Sequence, residues 1–135
     1  MASLPSHDER ADNPQAIAAA IFARHGIDFA AVQRAGGWTN TVWLADDLVL
    51  RLSTRKEQAA QDSPLLREAR LATLFGPAVG YPALVDGGTT GGYAWTLAAR
   101  IPGTSLGEAW EGLSSGARIT ALHGLWGRAQ AVHAV

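Results

Sequence analysis

The first half of the chain carries a glycine-rich loop and a strand arginine that together could bind an anion. The loop opens with a glycine pair and continues as a polar run, comprising Gly36, Gly37, Thr39, Asn40 and Thr41. Glycine and small polar residues let backbone N–H groups approach an anionic ligand closely. Arg51 follows within an aliphatic segment, and its permanent charge suits the same kind of ligand.

Arg51 and Glu68 are each predicted to lie among apolar neighbours. Leu50 and Leu52 flank Arg51, so alternation along a strand places the guanidinium on the opposite face. Glu68 shares one helical face with Leu65, Ala72 and Phe75. Because a charge in apolar surroundings needs a partner, we expect an Arg51–Glu68 ion pair. The alternative is a partly exposed glutamate at the edge of the apolar stripe.

Strands are predicted to position the loop and Arg51. Residues 41–45 and 48–52 are rich in β-branched, aromatic and aliphatic side chains, and Asp46-Asp47 suits the tight turn of a hairpin. Residues 28–34 are predicted to form a preceding strand. Two further strands are expected at 82–87 and 93–101, with a turn at residues 89–92.

Helices are predicted wherever a capping residue precedes an apolar periodic segment. Asn13 with Pro14 begins a helix that ends at Gly26, and Ser63 with Pro64 begins one that runs to residue 75. Shorter helical segments are expected at 54–57 and 104–110, and Ser114 is predicted to cap a helix over 115–135. This order of elements predicts an α+β fold, with a helix packed on an antiparallel sheet.

Composition limits the classes of function. The 135 residues, 47% hydrophobic, can bury one core, which indicates one domain or one domain plus part of another. The net charge of -1 provides no basic footprint, so no nucleic-acid partner is expected. There are no cysteines and no apolar run long enough to span a bilayer, so we expect no membrane association and a cytoplasmic location. Residues 1–12 are predicted to be a disordered tail.

Taken in order, these motifs resemble those of the aminoglycoside phosphotransferase and choline-kinase-like family, which has a protein-kinase-like fold. The matching segments are the glycine-rich run 36–43, the strand 49–52, the Arg-Glu-Ala of 67–69 and the Arg-Ile-Pro-Gly run that opens 100–106. The closing residues 131–134 are similar to the histidine-containing helix end of that family. The resemblance extends over residues 27–135, and it depends on the order and spacing of the motifs together.

The resemblance implies a kinase-like small lobe over residues 13–101, with a five-stranded antiparallel sheet and a packed helix. Residues 102–135 would form the hinge exit and the first helices of an incomplete large lobe. The loop at 36–41 would cover the phosphates of ATP. The roles implied for single residues are phosphate binding by Arg51, orientation of Arg51 by Glu68, adenine packing by Val42 and Val49, and hinge hydrogen bonds from the backbone of Ala99 and Ile101.

One departure from the family pattern bears on activity. The family's His-Gly-Asp catalytic loop and its later metal-binding aspartate would follow His133, and the sequence contains neither. Without a base and metal ligands, phosphoryl transfer is not expected from these residues. We therefore expect the N-terminal nucleotide-binding portion of an ATP-dependent small-molecule phosphotransferase, inactive as it stands. It would bind ATP without magnesium ligands of its own, and would be a fragment, a truncated frame or one piece of a split protein.

Two alternatives remain open at this point. The first is a non-catalytic kinase-like module that binds nucleotide weakly or pairs with a missing large lobe or a second chain. The second is a small α+β domain in which the loop and Arg51 are purely structural. Nucleotide binding would separate the second alternative from the others.

Overall fold

The computed structural model of the chain describes residues 13–36, 40–54 and 63–135. Its strands form one sheet, antiparallel throughout, in the order β1-β2-β3-β5-β4. They are β1 Gln33–Ala35, β2 Asn40–Leu44, β3 Leu48–Ser53, β4 Leu84–Thr90 and β5 Tyr93–Ala99. The α+β class and the five-stranded antiparallel sheet predicted from the sequence are confirmed.

Four α-helices accompany the sheet in these described ranges. They are α1 Pro14–Arg24, α2 Pro64–Ala72, α3 Leu106–Ala109 and α4 Ser115–His133. Three short 3-10 helices lie at Phe29–Ala31, Pro77–Val79 and Trp110–Gly112. The predicted tail at residues 1–12 and residues 55–57 of the predicted helical turn lie outside the described residues.

Helix α1 covers one face of the sheet and supplies much of the core. Asn13 caps it as predicted, because its side-chain oxygen accepts a hydrogen bond of 2.9 Å from the Gln15 N–H. The buried side chains of α1 pack on those of β2, β3 and β5. The set includes Ile17, Ile21, Phe22, Trp43, Leu50, Leu52, Trp95 and Leu97. Burial of each of these large side chains contributes about 1.5–3 kcal/mol.

The strand register places Arg51 on the face opposite α1. Leu50 and Leu52 are fully buried in the core, and successive residues of a strand point to opposite faces. Arg51 pairs across the sheet with Val42 on β2 and Thr96 on β5, so these three residues share the second face. Helix α2 packs on this second face against β5 and β4. The sheet therefore lies between two helices, and the sequence had predicted only the second of these packings.

The turn between β4 and β5 is shorter than predicted. Gly91 and Gly92 have φ values of 58° and 82°, and Thr90 pairs directly with Tyr93. Two successive residues with positive φ make the tight turn that suits the twist of antiparallel strands, and glycine adopts that conformation without steric cost. The two threonines before the glycines therefore belong to β4, and the prediction of a turn over 89–92 was wrong.

The strand predicted at 28–34 was also wrong over most of its length. The Asp28 side chain accepts a hydrogen bond of 3.0 Å from the Ala30 N–H and caps a 3-10 helix at Phe29–Ala31. A short acidic side chain that bonds its own local backbone competes with strand pairing. Strand β1 therefore begins only at Gln33.

Helix boundaries differ from prediction at two places on the second face. Helix α2 ends at Ala72 rather than residue 75, and the Thr73 hydroxyl donates to the Arg70 carbonyl oxygen at 2.7 Å. Ser63 occupies the N-cap position with extended backbone, but its hydroxyl makes no capping bond. The predicted helix at 104–110 is split into α3 and the following 3-10 helix.

Helix α4 begins as predicted and carries an exposed apolar surface. The Ser114 hydroxyl accepts a hydrogen bond of 3.1 Å from the Ala117 N–H. Arg128 donates to the Val79 carbonyl oxygen at 3.1 Å, which joins α4 to the 3-10 helix Pro77–Val79. The exposed apolar residues, at least two-fifths accessible each, are Ile119, Leu122, Leu125, Trp126 and Val132.

Candidate functional site

A cavity of about 420 Å³ lies on the second face of the sheet, beside Arg51. Strands β2, β3 and β5 form its floor, and the segments after α2 and after β5 form its walls. The lining residues include Leu44, Val49, Arg51, Tyr81, Leu84, Thr96, Ala98, Ala99, Ile101 and Glu108. A volume of this size, with mostly apolar walls and a few polar groups, is typical of a small-molecule site.

Arg51 and Glu68 form the ion pair that the sequence predicted. Arg51 Nη1 donates to Glu68 Oε1 at 2.7 Å, and Nη2 donates to Oε2 at 3.2 Å. This fork of two parallel bonds fixes the plane of the guanidinium relative to the carboxylate. The Arg51 side chain is 30% exposed and that of Glu68 is 42% exposed, so the pair is neither buried nor free in solvent.

Tyr81 is a third member of this cluster. Its hydroxyl donates to Glu68 Oε1 at 2.8 Å, so that oxygen accepts from both Arg51 and Tyr81. The Tyr81 ring also packs against Phe75, with the ring centroids 5.7 Å apart. Tyr81 was not predicted as a site residue, because no helical or strand spacing links it to Glu68. The available signal was a tyrosine between Gly80 and Pro82, soon after the helix that carries Glu68 on an apolar stripe.

The hydrogen bonds in this cluster shift the pKa values of its members. The bond to Glu68 raises the pKa of Arg51, although partial burial opposes the shift. The bond from Arg51 lowers the pKa of Glu68, with a smaller contribution from Tyr81. Burial and the neighbouring carboxylate raise the pKa of Tyr81 to about 12. The cluster therefore holds a cation, an anion and a neutral phenol at neutral pH.

Several of the predicted site residues meet at this cavity. Val49, Arg51, Ala99 and Ile101 line it, and Glu68 lies against Arg51. Val42 shares the face of Arg51 as its cross-strand partner but does not line the cavity.

The glycine-rich loop is only partly described. Gly36 is exposed at the end of β1, and Gly37 and Thr39 lie outside the described residues. Asn40 pairs with Ser53 at the start of β2, which places it on the same face as Val42. Thr41 pairs with Leu52, so its side chain lies on the opposite face from Arg51. Only the backbone of Thr41 could therefore contribute to the cavity.

The backbone expected to bind the adenine edge is partly used within the fold. The Ala99 N–H donates to the Ala83 carbonyl oxygen at 2.8 Å, and the Arg100 N–H donates to the Asp47 carbonyl oxygen at 2.8 Å. Arg100 Nη1 also donates to the Ala45 carbonyl oxygen at 2.9 Å. These bonds anchor the end of β5, and any contribution of Ala99 to a ligand must come from its carbonyl oxygen.

A second cavity of about 430 Å³ lies on the other side of Tyr81. Residues at the end of α2 and the segment from Gly76 to Leu84 form its walls, and none of its lining residues carries a charge. We assign the candidate site to the first cavity, because a cation and several polar groups converge there.

The described residues contain neither a cluster suited to a metal ion nor a helix suited to a bilayer. Across the ranges 13–36, 40–54 and 63–135, no group of three or more acidic or histidine side chains could hold a metal ion. Among the helices of the same ranges, none has the length and apolar character needed to cross a bilayer.

Comparison with known proteins adds no assignment. No protein-family model matches the chain, and no curated protein matches it significantly.

Proposed function

We propose that the chain is the nucleotide-binding portion of an ATP-dependent small-molecule phosphotransferase similar to the aminoglycoside phosphotransferases. The observation that supports this proposal is the Arg51–Glu68 fork beside a cavity of about 420 Å³. The fork presents a fixed planar cation at one part of the cavity, and the rest of the lining is mostly aliphatic, with Thr96, Arg100 and Glu108 among the polar exceptions. A ligand with an apolar ring and an anionic tail matches that division.

The lining residues fit the two parts of ATP. Leu44, Val49 and Ala98 offer aliphatic surface to a flat purine ring. Arg51 offers N–H donors to phosphate oxygens, which guanidinium groups bind with favourable geometry. The backbone N–H groups near Gly36 and Asn40, at the approach to β2, would add further donors for the phosphates.

Transfer of the phosphoryl group would need residues beyond this site. ATP supplies the phosphoryl group when bound, and the residues described here bind it, orient it and neutralise part of its charge. The resemblance places the base that accepts the acceptor's proton, and the carboxylates that hold Mg²⁺, after His133. The acceptor would bind with those groups, so nucleotide binding is the activity proposed for these 135 residues.

Calorimetric titration with MgATP tests the proposal. We expect saturable binding to the unmodified chain and a loss of about tenfold or more in Arg51→Met, since hydrogen bonds to a charged group are worth about 1.5–3 kcal/mol. Arg51→Lys keeps the charge without the fork and should bind with intermediate affinity.

The matched control is Arg67→Met, which removes an exposed arginine adjacent to Glu68 in the sequence. It should bind MgATP as the unmodified chain does. Circular dichroism establishes that each variant is folded. Absence of saturable binding to the unmodified chain, or equal binding by Arg51→Met, would overturn the proposal.

A non-catalytic interaction module is the second candidate, and the exposed apolar surface of α4 favours it. Leu125 and Trp126 are 59% and 66% exposed, and contiguous apolar surface on a helix is typical of an interaction site. Sedimentation at several concentrations distinguishes the two candidates when combined with the titration. Self-association that Trp126→Glu abolishes, without any binding of MgATP, would favour the interaction module.

A further inference from the structure

The carboxylate of Glu68 receives more hydrogen bonds on one oxygen than on the other. Oε1 accepts from Arg51 Nη1 at 2.7 Å and from the Tyr81 hydroxyl at 2.8 Å. Oε2 accepts from Arg51 Nη2 at the longer distance of 3.2 Å. The last torsion of a glutamate side chain has broad preferences, so two short bonds on one oxygen decide its orientation.

Glu68 needs such support because it is partly exposed. At 42% exposure its carboxylate can exchange protein donors for water, and loss of the longer 3.2 Å bond to Oε2 would let it rotate against the guanidinium. The Tyr81 hydroxyl comes from a different segment, after the 3-10 helix Pro77–Val79, so it opposes this rotation independently of Arg51.

The Tyr81 side chain is itself held in place by its surroundings. Its ring packs on Phe75 at a centroid distance of 5.7 Å and forms part of the wall between the two cavities. Gly80, immediately before it, has a φ of 68° and ends the 3-10 helix Pro77–Val79. The hydroxyl thus reaches Glu68 from a supported position.

We propose that Tyr81 is a positioning residue that orients Glu68 and, with it, fixes the direction in which Arg51 presents its guanidinium group to a phosphate. This inference rests on the proposed function, since it concerns the phosphate end of the same nucleotide site. Tyr81 acts on Arg51 through the carboxylate, and its hydroxyl also interacts with the guanidinium group. Its removal should therefore weaken binding of phosphate-bearing ligands and leave binding of the nucleoside part unchanged.

The experiment compares ATP with adenosine as calorimetric ligands. Tyr81→Phe removes only the hydroxyl and keeps the ring against Phe75. We expect it to weaken ATP binding by about three- to tenfold, in line with loss of one hydrogen bond to a charged group that is partly exposed. Adenosine binding should change by less than about twofold. A merely structural role would weaken both ligands together, because the cavity walls would then be disturbed.

Two further variants complete the design. Tyr93→Phe is the matched control, because Tyr93 lies on β5 and packs against the core. It should bind both ligands as the unmodified chain does. In a Glu68→Ala background, Tyr81→Phe should weaken ATP binding less than it does in the unmodified chain, because the carboxylate through which it orients Arg51 is gone.

The outcomes separate the inference from the function on which it rests. If the unmodified chain does not bind ATP, the proposed function fails and the inference fails with it. If the unmodified chain binds ATP and Arg51→Met does not, while Tyr81→Phe binds ATP normally, only the inference is overturned. A parallel loss of ATP and adenosine binding in Tyr81→Phe would equally overturn it.

Discussion

The Arg51–Glu68 pair should couple measurably in the stability of the fold. Exposed ion pairs contribute about 0–1 kcal/mol, and breaking a buried pair costs about 3–5 kcal/mol. The two side chains are 30% and 42% exposed, and one of the two bonds in the fork is long at 3.2 Å. We therefore expect a coupling free energy of about 1–2 kcal/mol, nearer the exposed limit than the buried one.

A double-mutant cycle with urea unfolding measures this coupling. Arg51→Met keeps an apolar stem on the sheet, and Glu68→Ala places a good helix former in α2, so neither change adds an obvious backbone cost. For a slope of about 1–3 kcal/mol/M, the coupling of about 1–2 kcal/mol corresponds to about 0.3–2 M in the unfolding midpoint.

A matched cycle sets the background for this measurement. It combines Arg51→Met with Glu111→Gln, a carboxylate on the 3-10 helix Trp110–Gly112 that does not line the cavity. This control cycle should show no coupling beyond experimental error. If the Arg51–Glu68 cycle is equally flat, the two residues are unrelated surface charges and the fork does not hold Arg51 in place.

Glu68, Tyr81 and Gly80 should each contribute to the stability of the fold in a way that can be measured separately. Because its partners lower the pKa of Glu68, the stability from this carboxylate is present above its ordinary value of 4.5 and is lost as pH falls below it. Urea unfolding should therefore be less acid-sensitive in Glu68→Gln than in the unmodified chain. Tyr81 has a raised pKa of about 12, so its contribution to the free energy of unfolding is lost between about pH 10 and 12. Tyrosinate absorbance should show a tyrosine that titrates late in the unmodified chain and is missing in Tyr81→Phe. Gly80→Ala should lower the free energy of unfolding by about 1 kcal/mol or more, because φ is 68° and the new methyl group would meet the Arg128 side chain. Gly112→Ala, in open space, should leave it unchanged.

Alternation and helical spacing predicted the central pair of the site. Leu50 and Leu52 on either side of Arg51 were sufficient to place the guanidinium on one face of a strand. The stripe around Glu68 was sufficient to place its carboxylate toward the same sheet. These are local periodicities, and the one around Arg51 holds in the folded chain because Leu50 and Leu52 are both buried.

Tyr81 and the bounds of several elements could not be predicted in the same way. The position of Tyr81 depends on where α2 ends and on the path through the 3-10 helix Pro77–Val79, which no repeat in the sequence encodes. At Asp28 and at the glycine turn after Thr90, local backbone structure competes with strand pairing for the same residues. Their outcome depends on neighbouring strands that come from elsewhere in the chain.

Backbone amide NMR of the labelled chain during titration with MgATP tests the central claim most directly. If the cavity beside Arg51 binds the nucleotide, saturable shifts should concentrate at Val49, Ala98 and Ile101, and the Arg51 side-chain N–H signals should move with them. Residues of α1 that face the core on the other side of the sheet, such as Ile21, should remain unchanged. Shifts that are absent, or that cluster on α4 and leave Val49 and Arg51 unmoved, would contradict a nucleotide site on this face.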